Sequence, residues 1–494
     1  MNQYRLFWSN RAQLLAGFFA VSVALLAGPR LAGAQAPEPS GSPSAEPAVE
    51  PPASAAVPPA GEPAPGEAEA TEEPNSAPAP ATAEIPAAAT SAESPPAAGA
   101  PPSAKPVASE PAKTTGTPME FSGAPGQGLT FKAGDVFSIN LKTRIQLRYQ
   151  LNIPPGEDGA ARKPQQVFQV GTLRLSFSGN ILLPQLKYTI QLALAGRDYR
   201  DGAISPVYDA FLEYNAHRDF NVRVGQYFVQ FDRLRTVREF ALQMADRPRP
   251  VGELTLDRDV GLTLFSDRFL GDKSPFAWRI GAFGGGGTNL TLGKKPGALV
   301  VGRLELRPLG PIDDDKEGDL ERRQVPGLAI GVAVAENINT NRARSTTGAT
   351  YVGGTTNYLH AAADLVFKWH GWALAGEYLF RKASTDTIDS TDAAGDPLTE
   401  YTRSGHGWIA QTSYVFDPPI EVVARISRMY AFEGTDPKYV TETEQFGQEV
   451  GGGLNYYFND HRLKLQADWI ARMPYNFDMS GADHVVHAQV DATF

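Results

Sequence analysis

Residues 138–151 read SINLKTRIQLRYQL, and alternate side chains in this stretch are of the same kind. Ile139, Leu141 and Ile145 are apolar, whereas Asn140 and Lys142 between them are polar. Successive side chains of a strand point to opposite faces, so the pattern predicts a strand with one apolar and one polar face. Its length is more than twice the usual strand length of about five or six residues. Such long strands are typical of transmembrane barrels.

The last residues, 484–494, read HVVHAQVDATF and show the same alternation. Val486, Val490 and Phe494 share one face, and His487 and Gln489 share the other. A terminal strand with one apolar face and an aromatic last residue is typical of outer-membrane β-barrel proteins.

Sixteen segments with such alternating apolar and polar residues are predicted as strands. Their connections alternate between long polar loops and mostly short links. A bacterial outer-membrane barrel has this asymmetry, with turns facing the periplasm and long loops outside. Because hydrocarbon cannot satisfy an open sheet edge, the sheet must close on itself. The predicted fold class is therefore all-β, a transmembrane antiparallel β-barrel of about 16 strands, wide enough for a water-filled channel. The predicted strands are 136–151, 166–180, 186–196, 206–215, 220–230, 258–268, 276–283, 298–307, 327–336, 357–369, 371–381, 405–416, 420–432, 445–458, 461–473 and 484–494.

One long link, residues 308–326, lies on the nominally short side and contains the acidic run Asp313, Asp314 and Asp315. We interpret it as a solvated turn, which is the usual meaning of a charge run.

Three regions are predicted along the chain. Residues 1–34 resemble a secretory signal, with Arg5 and Arg11 before an apolar stretch. Residues 35–118 are rich in Ala, Pro and Glu and contain no aromatic residue, so we expect a disordered periplasmic spacer. Residues 119–494 form the barrel domain. The formal charge of −10 divides into +3, −9 and −4 over these regions, so the acidity lies mainly in the spacer.

The loop at 230–257, QFDRLRTVREFALQMADRPRPVGELTLD, is the main candidate for a functional element. Val237, Phe240, Ala241 and Met244 have a one-sided helical spacing, which predicts a short helix resting on the inner barrel wall. Two interpretations stay open: a solvated loop on the outer rim, or a loop that folds into the lumen and selects anions. The candidate anion-binding residues are Arg233, Arg235, Arg238, Arg247 and Arg249.

Further basic residues lie on the polar faces of the predicted strands and are candidates for the channel wall. These charges either guide anions or pair with lumen acids and merely keep the wall wet. Arginine offers a rigid fork to phosphate oxygens, so arginine rather than lysine matters if the solute is phosphate. The candidate wall residues are Lys142, Arg144, Arg148, Arg174 and Arg223.

Four stretches resemble the phosphate-selective porin O and P family: GTLRLSFSG at 171–179, YDAFLEY at 208–214, VRVGQYF at 222–228 and DRDVGL at 257–262. The resemblance implies a trimeric sixteen-stranded porin whose third loop carries constriction arginines, here Arg233, Arg235 and Arg238. This chain departs from the phosphate-specific members at 337–354, where Arg342 and Arg344 stand instead of a lysine cluster.

The predicted function is passive diffusion of small anions, such as phosphate or polyphosphate, across the bacterial outer membrane. The alternatives are a general small-solute porin or a barrel anchor whose spacer tethers the membrane to peptidoglycan. We expect no enzyme, because no nucleophile elbow, phosphate-cradling loop or zinc spacing occurs. The chain has no cysteine, and we expect neither a cofactor nor a metal nor a nucleic-acid partner. The predicted partners are outer-membrane lipid, small anions, further copies in a homotrimer, the assembly machinery through Phe494, and peptidoglycan through the spacer.

Overall fold

The computed structural model describes residues 118–156, 162–196, 198, 205–288, 297–392, 394–417 and 419–494. The predicted signal and residues 35–117 of the predicted spacer lie outside the described residues.

The described residues contain 22 strands, of which sixteen form a closed antiparallel barrel. The strands are β1 (Met119–Ala124), β2 (Gly128–Ala133), β3 (Phe137–Ile153), β4 (Gln165–Ile181), β5 (Leu183–Ala193), β6 (Val207–His217), β7 (Phe220–Phe228), β8 (Arg258–Ser266), β9 (Phe276–Phe283), β10 (Ala298–Leu306), β11 (Gly327–Thr340), β12 (Arg342–Arg344), β13 (Thr347–Thr350), β14 (Thr356–Trp369), β15 (Trp372–Ala383), β16 (Thr387–Thr391), β17 (Pro397–Tyr401), β18 (Gly405–Val415), β19 (Ile420–Ala431), β20 (Gln448–Asn459), β21 (Leu463–Met473) and β22 (Asp483–Thr493).

The barrel comprises all of these strands except β1, β2 and the two small hairpins β12–β13 and β16–β17. Each barrel strand pairs with the next, and β22 pairs with β3 from Thr493 opposite Arg144 to His484 opposite Ile153. This last pairing closes the cylinder. The sixteen predicted strands correspond one by one to the sixteen barrel strands, which confirms the predicted fold class.

The sequence did not predict the hairpin β1–β2. Strand β3 is longer than β22, and β2 pairs with the part of β3 that β22 does not reach, from Leu129 opposite Leu141 to Ala133 opposite Phe137. Phe494 lies where the two partners of β3 meet, since it exchanges backbone hydrogen bonds of 2.8 and 2.9 Å with Thr143. The hairpin therefore covers an edge of β3 that would otherwise be unpaired.

The barrel is polar inside and apolar outside. Asp364 of β14 and Glu377 of β15 face the lumen and are only 5% and 4% exposed, whereas Val332 and Val334 of β11 are 49% and 58% exposed on the outer face. This arrangement is the reverse of a soluble protein and is expected of strands that face hydrocarbon. Among the described residues no helix is both long enough and apolar enough to span a membrane.

Two ends of the barrel can be distinguished. The long-loop end carries both small hairpins and the longest helix, and the short-turn end carries tight turns such as His370–Gly371, the hairpin β1–β2 and Phe494. The helices are α1 (Arg233–Thr236), a 3-10 helix (Glu239–Ala241), α2 (Arg249–Leu254) and α3 (Pro437–Phe446). All but α3 belong to the connection between β7 and β8, which enters the interior of the barrel.

Candidate functional site: the barrel lumen

Residues 230–257, here called the inner loop, enter the lumen from the long-loop end. The Ala245 amide donates to Asp468 of β21 at 2.6 Å, and Asn455 of β20 donates to the Gln243 carbonyl at 2.9 Å. Both wall residues are at most 4% exposed. The loop therefore crosses the interior and bonds to the inner face of the wall.

The predicted helix through Val237, Phe240, Ala241 and Met244 is wrong. Helix α1 ends at Thr236, and residues 237–244 contain only a single 3-10 turn. A continuous helix would need the Gln243 amide and the Val237 carbonyl for its own hydrogen bonds. The Gln243 amide donates instead to Glu317, and the Val237 carbonyl accepts from Arg247, so tertiary contacts override the helical spacing. All but one of the four side chains are nevertheless buried, as an apolar stripe requires.

Apolar packing holds part of the inner loop against one side of the wall. Phe231, Val251 and Leu254 have no exposed surface, and they belong to one cluster with Leu299 of β10 and Leu379 of β15. Burial of such a side chain stabilises by about 1.5–3 kcal/mol. Small wall residues leave room for the loop there, namely Ala333, Ala335 and Ala362.

The inner loop's first two arginines are neutralised. Arg233 is 7% exposed, and its Nε and Nη1 donate to Asp364 and Asp314 at 2.7 and 2.5 Å. Arg235 pairs with Asp257. These guanidinium groups are structural counter-ions, because each is already matched by a carboxylate.

The last two arginines of the inner loop have no such partner. Neither Arg247 nor Arg249 forms an ion pair with any carboxylate that the structure describes. Arg247 donates instead to the carbonyls of Leu234 and Val237 at 3.0 and 2.5 Å. Burial lowers the pKa of both arginines, and a neighbouring arginine, Arg472, lowers that of Arg249 further. Since guanidinium stays protonated in proteins, both groups keep their positive charge without a carboxylate in ion-pair contact among the described residues.

These two arginines line a cavity of ≈ 460 Å³ that adjoins the inner loop. Every basic residue that lines it is an arginine, and the lining arginines outnumber the lining acids. The lining arginines are Arg148, Arg235, Arg247, Arg249, Arg344, Arg403 and Arg472, and the lining acids are Glu239, Asp246, Glu253 and Glu442.

Glu253 is the acid that organises one side of this cavity. It is 8% exposed and accepts from Arg381 at 2.6 Å and Arg403 at 3.0 Å, while Arg344 lies 3.7 Å away. Burial alone would raise the pKa of Glu253, but the surrounding arginines outweigh it and hold the pKa below its ordinary value. Glu253 therefore neutralises part of the arginine charge beside the cavity.

Arg238 behaves differently from the other predicted residues of the inner loop. It is exposed, it does not line the cavity, and no described carboxylate forms an ion pair with it. The structure therefore brings Arg235, Arg247 and Arg249 to the cavity, but not Arg233 or Arg238.

The predicted wall residues are mostly paired, which agrees with the second interpretation of the lumen charges. Lys142 alone of the five is exposed and forms no ion pair with a described acid. Of the others, only Arg148 lines the cavity. The pairs are Arg144 with Asp491, Arg148 with Asp246, Arg174 with Asp198, and Arg223 with Glu213.

Sequence reasoning missed two cavity arginines. Arg472 shares the inward face of β21 with Asp468, so the strand's alternation contained the signal. Arg403 lies between β17 and β18, where no periodicity indicates direction. Only the fold places it beside Glu253.

Residues 308–326, here called the inner link, are not the solvated turn that the acidic run predicts. Asp314 and Glu317 are 8% and 6% exposed, and Ile312 packs against Ala329 and Val366 on the barrel wall. The acidic run misleads because its central residue has arginine partners inside the barrel. The inner link thus enters the lumen from the short-turn end.

The barrel is similar to several solved structures. The outer membrane channel DcaP of Acinetobacter baumannii is 14% identical, with 74% of this chain and 100% of that chain covered and a TM-score of 0.46. OmpF of Salmonella typhi, in complex with daunomycin, is 13% identical, with coverages of 73% and 100% and a TM-score of 0.49. An anion-selective porin from Comamonas acidovorans is 11% identical, with coverages of 72% and 99% and a TM-score of 0.44. No protein-family model and no curated protein sequence matches the chain.

Proposed function

We propose that this protein is an outer-membrane porin through which small anions diffuse passively. The observation that carries the proposal is the position of Arg247 and Arg249 in an arginine-lined cavity, where neither forms an ion pair with a described carboxylate. A fixed positive charge in a narrow aqueous path attracts anions and repels cations. Phosphate is a candidate solute, because guanidinium matches its oxygens in pairs.

The apolar outer face supports a membrane location, and the two unlike ends support an orientation. We place the short-turn end, with Phe494 and the start of the barrel domain, in the periplasm, and the long-loop end outside the cell. The spacer at 35–118, the homotrimer and the contact of Phe494 with the assembly machinery belong to the same proposal and rest on the sequence alone.

Reversal potentials across planar lipid bilayers test the anion preference of the channel. With a KCl gradient across a bilayer that contains the protein, the sign of the potential should indicate that chloride crosses more readily than potassium. A cation preference would contradict the anion proposal, and the absence of conductance would contradict the channel. Phosphate titrated against chloride then separates two solute classes: a phosphate site should block chloride current at low phosphate concentration, whereas a general small-solute pore should not show this block.

Single substitutions in the inner loop test whether the cavity is the selective site. Arg249→Gln should bring chloride and potassium permeability close to each other, because it removes a charge that lines the cavity. Arg238→Gln is the matched control, since it removes the same charge from the same loop at an exposed position away from the cavity. Equal shifts in the two variants would show that the cavity is not the selective site.

A further inference from the structure

The inner link and the inner loop meet inside the lumen through a closed ring of ion pairs. The ring alternates three carboxylates with three arginines, and all six groups are less than about one-fifth exposed. Each member of the ring has two partners in it, and removal of any member would leave both of them short of a counter-ion in a poorly hydrated site. The ring therefore favours one arrangement of the inner link relative to the inner loop. Its distances are Asp314–Arg233 2.5 Å, Arg233–Asp364 2.7 Å, Asp364–Arg303 2.7 Å, Arg303–Glu305 2.8 Å, Glu305–Arg307 2.9 Å and Arg307–Asp314 3.1 Å.

A second contact joins the same two segments further along the inner link. The Glu317 carboxylate accepts from the Gln243 amide at 2.6 Å and from the side chain of Gln411, on β18, at 3.0 Å. The following residue, Gly318, approaches the wall so closely that a Cβ there would lie 2.5 Å from Glu421 Oε1. The inner link is thus packed between the inner loop and the barrel wall.

The two contacts lie on either side of the segment that holds Arg247. Asp314 binds Arg233, the first residue of α1, and the carbonyls of Leu234 and Val237 accept from the Arg247 guanidinium. Glu317 binds the amide of Gln243, four residues before Arg247. The inner link therefore fixes both the acceptors that orient this guanidinium and the backbone that leads to it.

We propose that the inner link is an internal clamp, in which Asp314 and Glu317 are positioning residues for the arginines of the anion cavity. The clamp acts from the end of the barrel opposite to the one from which the inner loop enters. Its effect on selectivity rests on the proposed channel function, whereas its effect on the inner loop's mobility does not.

Asp314→Asn tests the clamp, with Asp315→Asn as its matched control. The two variants remove the same charge from neighbouring positions, but Asp315 is exposed and forms no ion pair with a described cation. Amide hydrogen exchange of the folded barrel should become about tenfold faster in the inner loop of Asp314→Asn, because a charge-assisted contact is lost. Exchange in Asp315→Asn should equal that of the unmodified protein. Equal exchange in both variants would overturn the clamp.

Reversal potentials of the same variants test the link to selectivity. Asp314→Asn should lose part of the chloride preference even though it removes a negative charge, which by simple electrostatics would increase that preference. Asp315→Asn should show at most that simple increase, and an increase in Asp314→Asn would overturn the positioning role. If the unmodified protein does not conduct, the proposed channel fails while hydrogen exchange still decides the clamp. If Asp314→Asn does not fold, Glu317→Gln, with exposed Glu321→Gln as its control, should give the same contrast.

Discussion

Arg233 and Arg249 lie in the same loop, but their surroundings are opposite. Arg233 is almost fully buried between two carboxylates, whereas Arg249 lines an open cavity without an ion-pair partner among the described residues. The first guanidinium anchors the loop, and the second leaves its charge available to a solute. The carboxylates around an arginine therefore decide its role, and arginine content alone does not measure how strongly a channel attracts anions.

The acids of the lumen therefore neutralise arginines at two places. Asp314 and Asp364 neutralise Arg233 and thereby fix the inner loop. Glu253 neutralises arginines at the side of the cavity. What remains positive is the small set of arginines that these acids do not reach. In the proposed channel, selectivity thus depends on which acids are placed beside which arginines.

Substitution of the two arginines by alanine should give the largest difference. Arg233→Ala leaves Asp314 and Asp364 with one fewer partner in a buried site, so we expect a loss of about 3–5 kcal/mol in the free energy of unfolding. Arg249→Ala breaks no ion pair with a described residue and should stay within about 0.5 kcal/mol of the unmodified protein. Urea unfolding of the barrel in lipid vesicles measures both values. Similar losses would show that the pairing of Arg233 is not what holds the loop.

The pH dependence of stability should distinguish the clamp from the cavity. Burial raises the pKa of Glu317, and the contacts with Gln243 and Gln411 offset this only in part, so the folded state holds that proton more tightly than the unfolded state does. The contribution of Glu317 should therefore favour folding most at low pH and decline as the pH rises from the ordinary value of 4.5 through the raised pKa. Glu253 has a lowered pKa, so its contribution is present above 4.5 and is lost as the pH falls through the folded value.

Unfolding free energies of Glu317→Gln and Glu253→Gln, measured against pH, check these opposite signs. A tenfold difference in proton affinity between the folded and unfolded states corresponds to about 1.4 kcal/mol of stability. The difference between the unmodified protein and Glu317→Gln should change on the alkaline side of 4.5, and that for Glu253→Gln on the acid side. Changes on the same side would contradict the contrast between the two sites.

The sequence predicts the barrel well and the lumen only in part, for a physical reason. Strand alternation is a local property, so the sixteen barrel strands are evident from it, while β1 and β2 are short and have no comparable run of alternating residues. The arginines of the inner loop mark it as a functional element, but their partners come from distant strands, as with Arg233 and Asp364. The prediction for the inner link is wrong for the same reason, since the buried arginine that pairs with Asp314, Arg233, is 81 residues away in the sequence.

Substitution of Arg238 should have the smallest effect on stability and on the reversal potential. It is exposed and has no described ion-pair partner, so Arg238→Gln should change the unfolding free energy by no more than about 0.5 kcal/mol. Its charge can still act at a distance, but the screening length falls from about 10 Å at 0.1 M salt to about 3 Å at 1 M. We therefore expect Arg238→Gln to shift the reversal potential weakly in dilute salt and not at all in concentrated salt. The shift in Arg249→Gln should persist in concentrated salt, because a permeating anion comes into contact with a charge that lines the cavity. A shift in Arg238→Gln that persists at high salt would place this residue on the permeation path beside Arg249.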